Sequence, residues 1–170
     1  SAASDVYKRQ MLNSSNTPIA TKLNIIDASK QVSSPIILQA LKKTMTIPAL
    51  ATHATLALGH MGKPATSTLL NILNTSELAA MKTAAAQALG EIGSHNAGSE
   101  ILTHLLAIME SQNIPLEVLT EIVKAVGKIP DHRSVEPLEK LALKAWTSPS
   151  NTPHIHALRN AIENSIWQLN

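Results

Sequence analysis

The sequence of 170 residues contains no cysteine and no phenylalanine, and its aromatic residues are one Tyr and two Trp. Without cysteine the chain can form no disulfide, no thiolate metal site and no cysteine nucleophile, and the redox compartment of the protein is left open. Charged residues make up only 15% of the chain, whereas hydrophobic residues make up 44%. This composition predicts a packed chain and excludes a mainly disordered one.

Long hydrophobic runs and a strong charge of one sign are also lacking. The longest nearly apolar stretch, Ile47 to Leu58, includes Thr and His and is much shorter than the roughly 20 residues that a membrane span needs. The net charge is +2, although residues 11–76 carry five Lys and one Asp while residues 77–170 carry seven basic and ten acidic residues. Because Arg clusters and stacking aromatics are missing, we expect neither a membrane span nor nucleic acid as a partner.

The first ten residues, SAASDVYKRQ, are interpreted as a non-native tail. Asp5 to Gln10 are identical to the in-frame translation of GATGTGTATAAGAGACAG, which resembles the transposase adapter of sequencing libraries. The adapter bases before that string encode the preceding four residues as well. Such a segment is set aside before the fold is considered. We expect residues 1–10 to make no core contacts, and residues 11–170 to be a repeat domain from a longer protein.

A six-residue motif recurs in the rest of the chain. Its copies are Ala57–Gly62 (ALGHMG), Ala88–Gly93 (ALGEIG), Ala125–Pro130 (AVGKIP) and the degenerate Ser165–Asn170 (SIWQLN). Each copy closes a stretch in which apolar residues recur with the 3.6-residue period of an amphipathic helix. These predicted core residues include Met81, Ala85, Ala88, Leu89 and Ile92, then Val118, Ile122, Ala125, Val126 and Ile129, then Leu158, Ile162, Ser165, Ile166 and Leu169.

Proline, serine and threonine divide the chain into about nine predicted helices with short connections, which favours antiparallel neighbours. The helices that end in the motif are predicted to begin at residues 46–48, 76–77, 115 and 152–153, and the others to cover about 18–31, 35–44, 64–74, 97–111 and 134–146. Gly62, Gly93 and Asn170 are predicted to act as left-handed C-caps. Pro130 is predicted to stop the third motif helix, since proline lacks a backbone N–H.

Helix pairs that close on Ala-Leu-Gly-x-Ile-Gly resemble HEAT repeats, in particular the short bacterial HEAT-like, or bilin-lyase-type, repeats. The resemblance covers nearly all of residues 17–170 and implies an all-α, right-handed α-solenoid of about four helix pairs. The sequence departs from the Asp and paired Arg that commonly open the second helix of each pair, because the matching positions are Leu78, Lys82 and Thr83, then Pro115, Leu119 and Thr120. Stacking is therefore expected to depend on apolar packing.

No group of residues in the sequence points to catalysis. His154 and His156 have the only suggestive spacing among the seven His, but residues i and i+2 diverge by about 200° on a helix and cannot bind one metal ion there. The glycines of Gly90–Gly93 lack the preceding strand and the following Gly-Lys-Ser/Thr of a phosphate loop. We expect no enzymatic activity, no metal and no cofactor.

A surface is therefore expected to carry the function. In a solenoid the second helices line the concave side, and their positions outside the core form a strip that is predicted to bind a protein or a peptide. This concave strip consists of Thr83, Gln87, Glu91, Glu117, Thr120, Lys124, Lys128, Asn160 and Asn164. Glu121 is interpreted as part of a charged solvent face, in which it pairs with Lys124 and, together with Glu117, faces Lys128.

Three alternatives to a binding strip stay open, and the chain is expected to be monomeric in each case. The strip can be an ordinary solvated face of a spacer segment. The resemblance also implies a chromophore-handling protein, because related repeats occur in lyases that attach or detach bilins. Finally, the repeats can be an appendage of a catalytic or haem domain that is missing from the sequence.

Overall fold

The computed structural model describes residues 1–95, 98–111 and 113–169. Within these ranges the chain forms ten α-helices and two short 3-10 helices without any strand, which confirms the all-α class. The α-helices are α1 (Ala2–Asn13), α2 (Ile19–Ser29), α3 (Pro35–Thr44), α4 (Pro48–Gly59), α5 (Thr66–Thr75), α6 (Ala79–His95), α7 (Gly98–Met109), α8 (Leu116–Gly127), α9 (Val135–Thr147) and α10 (Pro153–Leu169), and the 3-10 helices are Lys63–Ala65 and His132–Ser134.

The helices that were predicted from residue 17 onward are all present, and the additional one is α1. This helix packs against α2 and α3, and its residue Leu12 is buried. None of residues 1–10 belongs to the hydrophobic core. Asp5 is nevertheless buried, and its Oδ1 atom has no hydrogen-bond partner. Residues 2–10 are thus helical, and Val6 and Lys8 are half-buried beside the buried Asp5.

Proline and aspartate account for the starts of several helices. Pro35, Pro48 and Pro153 occupy the first position of α3, α4 and α10, where the missing N–H has no partner to lose. The expected start of α9 at residues 133–134 is instead a 3-10 turn. There the Asp131 carboxylate accepts a hydrogen bond of 3.0 Å from the backbone N–H of Arg133, and α9 begins one residue after the turn.

The predicted helix ends are correct in part. Gly62 has a positive φ of 70°, which glycine adopts at little cost. It is not the predicted left-handed C-cap, because its ψ is -151° and it precedes the 3-10 helix, while His60 caps α4. The prediction for Gly93 is wrong, because α6 continues to His95. A Cβ atom at Gly93 would lie 2.6 Å from Cδ1 of Ile129, so this glycine allows close packing and does not cap a helix. The Asn170 cap lies outside the described residues.

The helices that end in the motif pack against one another in sequence order. Contacts join α2 with α4, α4 with α6, α6 with α8, and α8 with α10, while α3, α5, α7 and α9 pack against the motif helices that follow them. The apolar residues between these helices form one core. Fourteen of the fifteen predicted core residues are less than a tenth exposed, whereas Ile166 is only half-buried.

The central glycine of each intact motif lies against the next motif helix. Cβ atoms built at these positions would lie 3.0, 2.9 and 2.9 Å from the Cα atoms of Ala88, Ala125 and Ser165 for Gly59, Gly90 and Gly127, respectively. Real Cβ atoms do not approach other atoms this closely. Each glycine therefore lets two backbones come together, and the residue that it meets lies two positions before the centre of the next motif copy.

Candidate functional site

A shallow groove runs along one side of α4, α6 and α8 and reaches the first turns of α10. It consists of two adjoining hollows of about 340 Å³ and about 580 Å³. Both hollows are lined by Leu56, Gln87, Glu121 and Lys124. Because they share these side chains, the two hollows form one continuous surface across the motif helices.

Glu121 lies at the centre of the groove and links α6 to α8. Its Oε2 atom accepts a hydrogen bond of 3.0 Å from Nε2 of Gln87, and its Oε1 atom accepts one of 2.7 Å from Nζ of Lys124. The Glu121 side chain is only 15% exposed, whereas that of Lys124 is 52% exposed. The pairing with Lys124 is as predicted. The placement of Glu121 on a solvent face is wrong, because Gln87 of the neighbouring helix covers it.

The first hollow is bordered by pairs of opposite charge. Lys128 donates a hydrogen bond to Glu91, and the two side chains are 43% and 50% exposed. Lys128 was predicted to face Glu117 and Glu121, so its partner is a different one, on α6. Since α6 and α8 pack against each other, the pair spans two adjacent helices.

Lys30, at the end of α2, also lines the first hollow. Its Nζ atom lies 2.7 Å from Oδ1 of Asp27. The hydrogen bond and the positive charge of Lys30 lower the pKa of the Asp27 carboxyl below its ordinary value. Lys30, Lys124 and Lys128 therefore each form an ion pair with a carboxylate. This end of the groove thus carries paired charges and no excess of one sign.

The second hollow has a floor of small side chains. Ala80, Ala84 and Thr83 of α6 and Thr120 of α8 line it. The hydroxyl groups of Thr83 and Thr120 donate to backbone carbonyls of their own helices at 2.8 and 2.7 Å, so they are already satisfied. At the edge Glu117 is exposed. A ligand in this hollow therefore contacts small, uncharged side chains in the middle and charged side chains at the edges.

Seven of the nine residues of the predicted strip line the groove: Thr83, Gln87, Glu91, Glu117, Thr120, Lys124 and Lys128. Asn160 and Asn164 are exposed on α10 but border neither hollow. That helix contributes His154 and Ala157 from its first turns. Thr120 is only 5% exposed, so it shapes the floor and offers little surface to a partner.

Sequence reasoning missed Glu121 and Lys30 as groove residues. The aligned copies gave no consistent signal for Glu121, because the equivalent residues six positions before Gly59 and Gly90 are His53 and Ala84, of which only Ala84 is buried. For Lys30 the sequence gave no signal, because α2 precedes the first copy of the motif and the alignment of copies does not reach it.

The described residues contain no group of three or more His, Cys, Asp and Glu side chains that could hold a metal ion. In the same part of the chain, every helix is too short or too polar to cross a membrane. No family model matches the sequence, and no curated protein matches it.

Proposed function

We propose that this chain is a non-catalytic protein-interaction module that binds a peptide segment of a partner protein in the groove. The observation that carries the proposal is the continuity of the groove across the successively packed helices α4, α6 and α8. With about 9 Å between the axes of packed helices, three helices span about 18 Å. An extended peptide of roughly six residues covers that distance.

We also infer that α3–α4, α5–α6, α7–α8 and α9–α10 are four HEAT-like pairs of a right-handed α-solenoid, with the groove on its concave side. Support comes from the recurrence of one contact, in which the central glycine of a motif helix packs against the small residue two positions before the centre of the next copy. Equivalent residues in equivalent contacts are what a repeat architecture requires.

The side chains of the groove suit reversible binding of a segment that carries both charges. Half-exposed ion pairs such as Glu91 with Lys128 contribute about 0–1 kcal/mol to folding. They can be exchanged for contacts with a peptide at little cost in stability. The alanines and threonines of the second hollow leave room for the peptide backbone, and the mixed charge selects its orientation.

The proposal is tested with peptides selected for binding to the intact chain from a random library, whose affinities are then measured by fluorescence polarisation. Lys124→Glu with Lys128→Glu removes both exposed cations of the groove on α8 and places carboxylates beside Glu121 and Glu91. We expect the affinity for groove-binding peptides to fall about tenfold or more, which corresponds to about 1.4 kcal/mol.

The matched control is Lys140→Glu with Lys144→Glu, which makes the same change of charge on α9. Both lysines border a different hollow, beside Met109 and Glu110, so we expect a change of less than about twofold. Equal losses from the two double variants would contradict the location of the site. A bilin lyase or isomerase activity of the purified chain would contradict the non-catalytic function.

A further inference from the structure

Another hollow, separate from the groove, lies between α9 and α10. It has a volume of about 400 Å³ and is lined by five apolar side chains and two glutamates. Leu143 and Trp146 of α9 are 69% and 44% exposed, Ile162 of α10 is fully buried at its base, and Ile166 is half-buried. We call this surface the α9–α10 cleft. One of the two tryptophans of the chain lies in it.

The only charged side chains that line the α9–α10 cleft are acidic. Glu139 and Glu163 border it, and within the described residues neither forms an ion pair. Arg159 lies nearby, with its guanidinium 5.9 Å from the centre of the Trp146 ring. It donates hydrogen bonds of 3.0 and 2.8 Å to the carbonyl of Ala145, so it is engaged with the end of α9. The two carboxylates that border the cleft are therefore free to pair with cations of a partner.

In the earlier motif helices α4, α6 and α8, the face that corresponds to the Glu163 side of α10 is covered by another helix. Four residues before the central motif position stand Thr55, Ala86 and Val123, and all three are fully buried. In α4, α6 and α8 this face is turned toward the next motif helix, which packs against it. A helix is therefore the natural occupant of the corresponding face on α10.

Two residues of α10 change what this face can accept. Glu163 stands where the earlier helices have Thr55, Ala86 and Val123, and Trp167 stands where they have glycine. A helix cannot approach α10 as closely as α10 approaches α8. The reason is that the Trp167 side chain projects at the position where Gly59, Gly90 and Gly127 allow two backbones to come together. An occupant must instead cover the apolar cleft and meet the carboxylates of Glu139 and Glu163.

We propose that the α9–α10 cleft binds an amphipathic helix of a partner protein, with the apolar stripe of that helix over Leu143, Trp146 and Ile166 and with Lys or Arg residues beside Glu139 and Glu163. Burial of the apolar stripe supplies the affinity. The unpaired glutamates supply the selection for basic flanks. This site does not depend on the function proposed for the groove.

The test uses a synthetic helix of about 18 residues, or five turns, with a Leu and Ala stripe flanked by Lys and without Trp. A counterpart has Glu in place of each Lys. The protein carries Trp167→Phe, so that Trp146 is the remaining tryptophan and its fluorescence reports on the cleft. We expect the Lys-flanked helix to shift the Trp146 emission to shorter wavelength, and to bind at least about tenfold more tightly than the Glu-flanked one.

Glu139→Lys with Glu163→Lys should reverse this preference between the two synthetic helices. Glu77→Lys with Glu100→Lys, which changes the charge equally at exposed positions elsewhere, should preserve it. Leu143→Asp should abolish binding of both helices and leave the circular dichroism spectrum unchanged, because Leu143 is exposed.

Three results would overturn the proposal. The first is binding of the Lys-flanked helix that is unchanged by Glu139→Lys with Glu163→Lys. The second is the absence of a shift in Trp146 emission. The third is a dimer in sedimentation experiments that Leu143→Asp dissociates, since a second copy of the chain would then cover the cleft.

Discussion

Gly127 of α8 and Trp167 of α10 occupy the same position in successive copies of the motif but have opposite surroundings. A Cβ atom at Gly127 would lie 2.9 Å from Cα of Ser165, whereas Trp167 is 81% exposed. Four residues earlier, Val123 is fully buried and Glu163 is exposed. The difference shows that the residue type at a repeated position depends on what packs against it. Among the described residues a helix packs there on α8 but not on α10.

The largest expected effect is at a covered apolar position. Leu89 is fully buried within α6, whereas Leu78, just before that helix, is 63% exposed. Leu89→Asp places a carboxylate without a partner in the core, and we expect it to lower the free energy of unfolding by about 4 kcal/mol or more. Leu78→Asp should not lower it, because Leu78 is exposed at the N-cap position of α6, where an Asp side chain can accept from the free N–H groups of the first turn. Urea unfolding followed by circular dichroism measures the free energy of unfolding of both variants. Similar losses of this free energy would contradict the conclusion that Leu89 is in the core and Leu78 is not.

The next effect tests the comparison between Gly127 and Trp167 directly. Gly127→Leu forces α8 away from α10, and we expect a loss of about 3 kcal/mol in the free energy of unfolding, as overpacked cores show. Trp167→Leu puts the same residue at the equivalent open position and should change this free energy by less than about 0.5 kcal/mol. If both variants were equally stable, the close contact of Gly127 with Ser165 would not constrain the fold.

Much of the fold could be predicted because the determining signals are local. Proline at residues 35, 48 and 153 places helix starts, and the period of 3.6 identifies the buried face of α6, α8 and α10 without knowledge of the neighbours. Gly93 shows where this reasoning stops. Glycine serves both as a cap and as a site of close packing, and only the position of Ile129, two residues after the end of α8, decides between the two roles.

The candidate site could be predicted less completely, because a groove belongs to several helices at once. The aligned copies identified the groove side of α6 and α8, and seven predicted residues line it. Whether α10 contributes its first turns or its later ones depends on the angle at which it crosses α8, which no residue of α10 encodes alone. Asn160 and Asn164 were therefore assigned to the groove, and His154 was not.

The smallest expected effect is that of deleting residues 1–10, which form most of α1 and lie outside the core. None of these residues belongs to the hydrophobic core. Asp5 is buried without a partner for its Oδ1 atom, and an unsatisfied buried group costs about 1–3 kcal/mol, which offsets what the packing of α1 against α3 contributes. We expect deletion of residues 1–10 to change the melting temperature by less than about 2 °C, which is within about 1 kcal/mol for a chain of this size.

Leu12 provides the control for this deletion, because it is 1% exposed and remains in the shortened chain. Leu12→Ala in that chain should lower the melting temperature, since removing a buried leucine costs about 2–5 kcal/mol. If it does, the shortened chain still holds Leu12 in the core, and the stable remainder begins after residue 10. A drop of several degrees from the deletion alone would instead mean that α1 contributes as a whole helix, and that the segment that resembles an adapter translation is part of the fold.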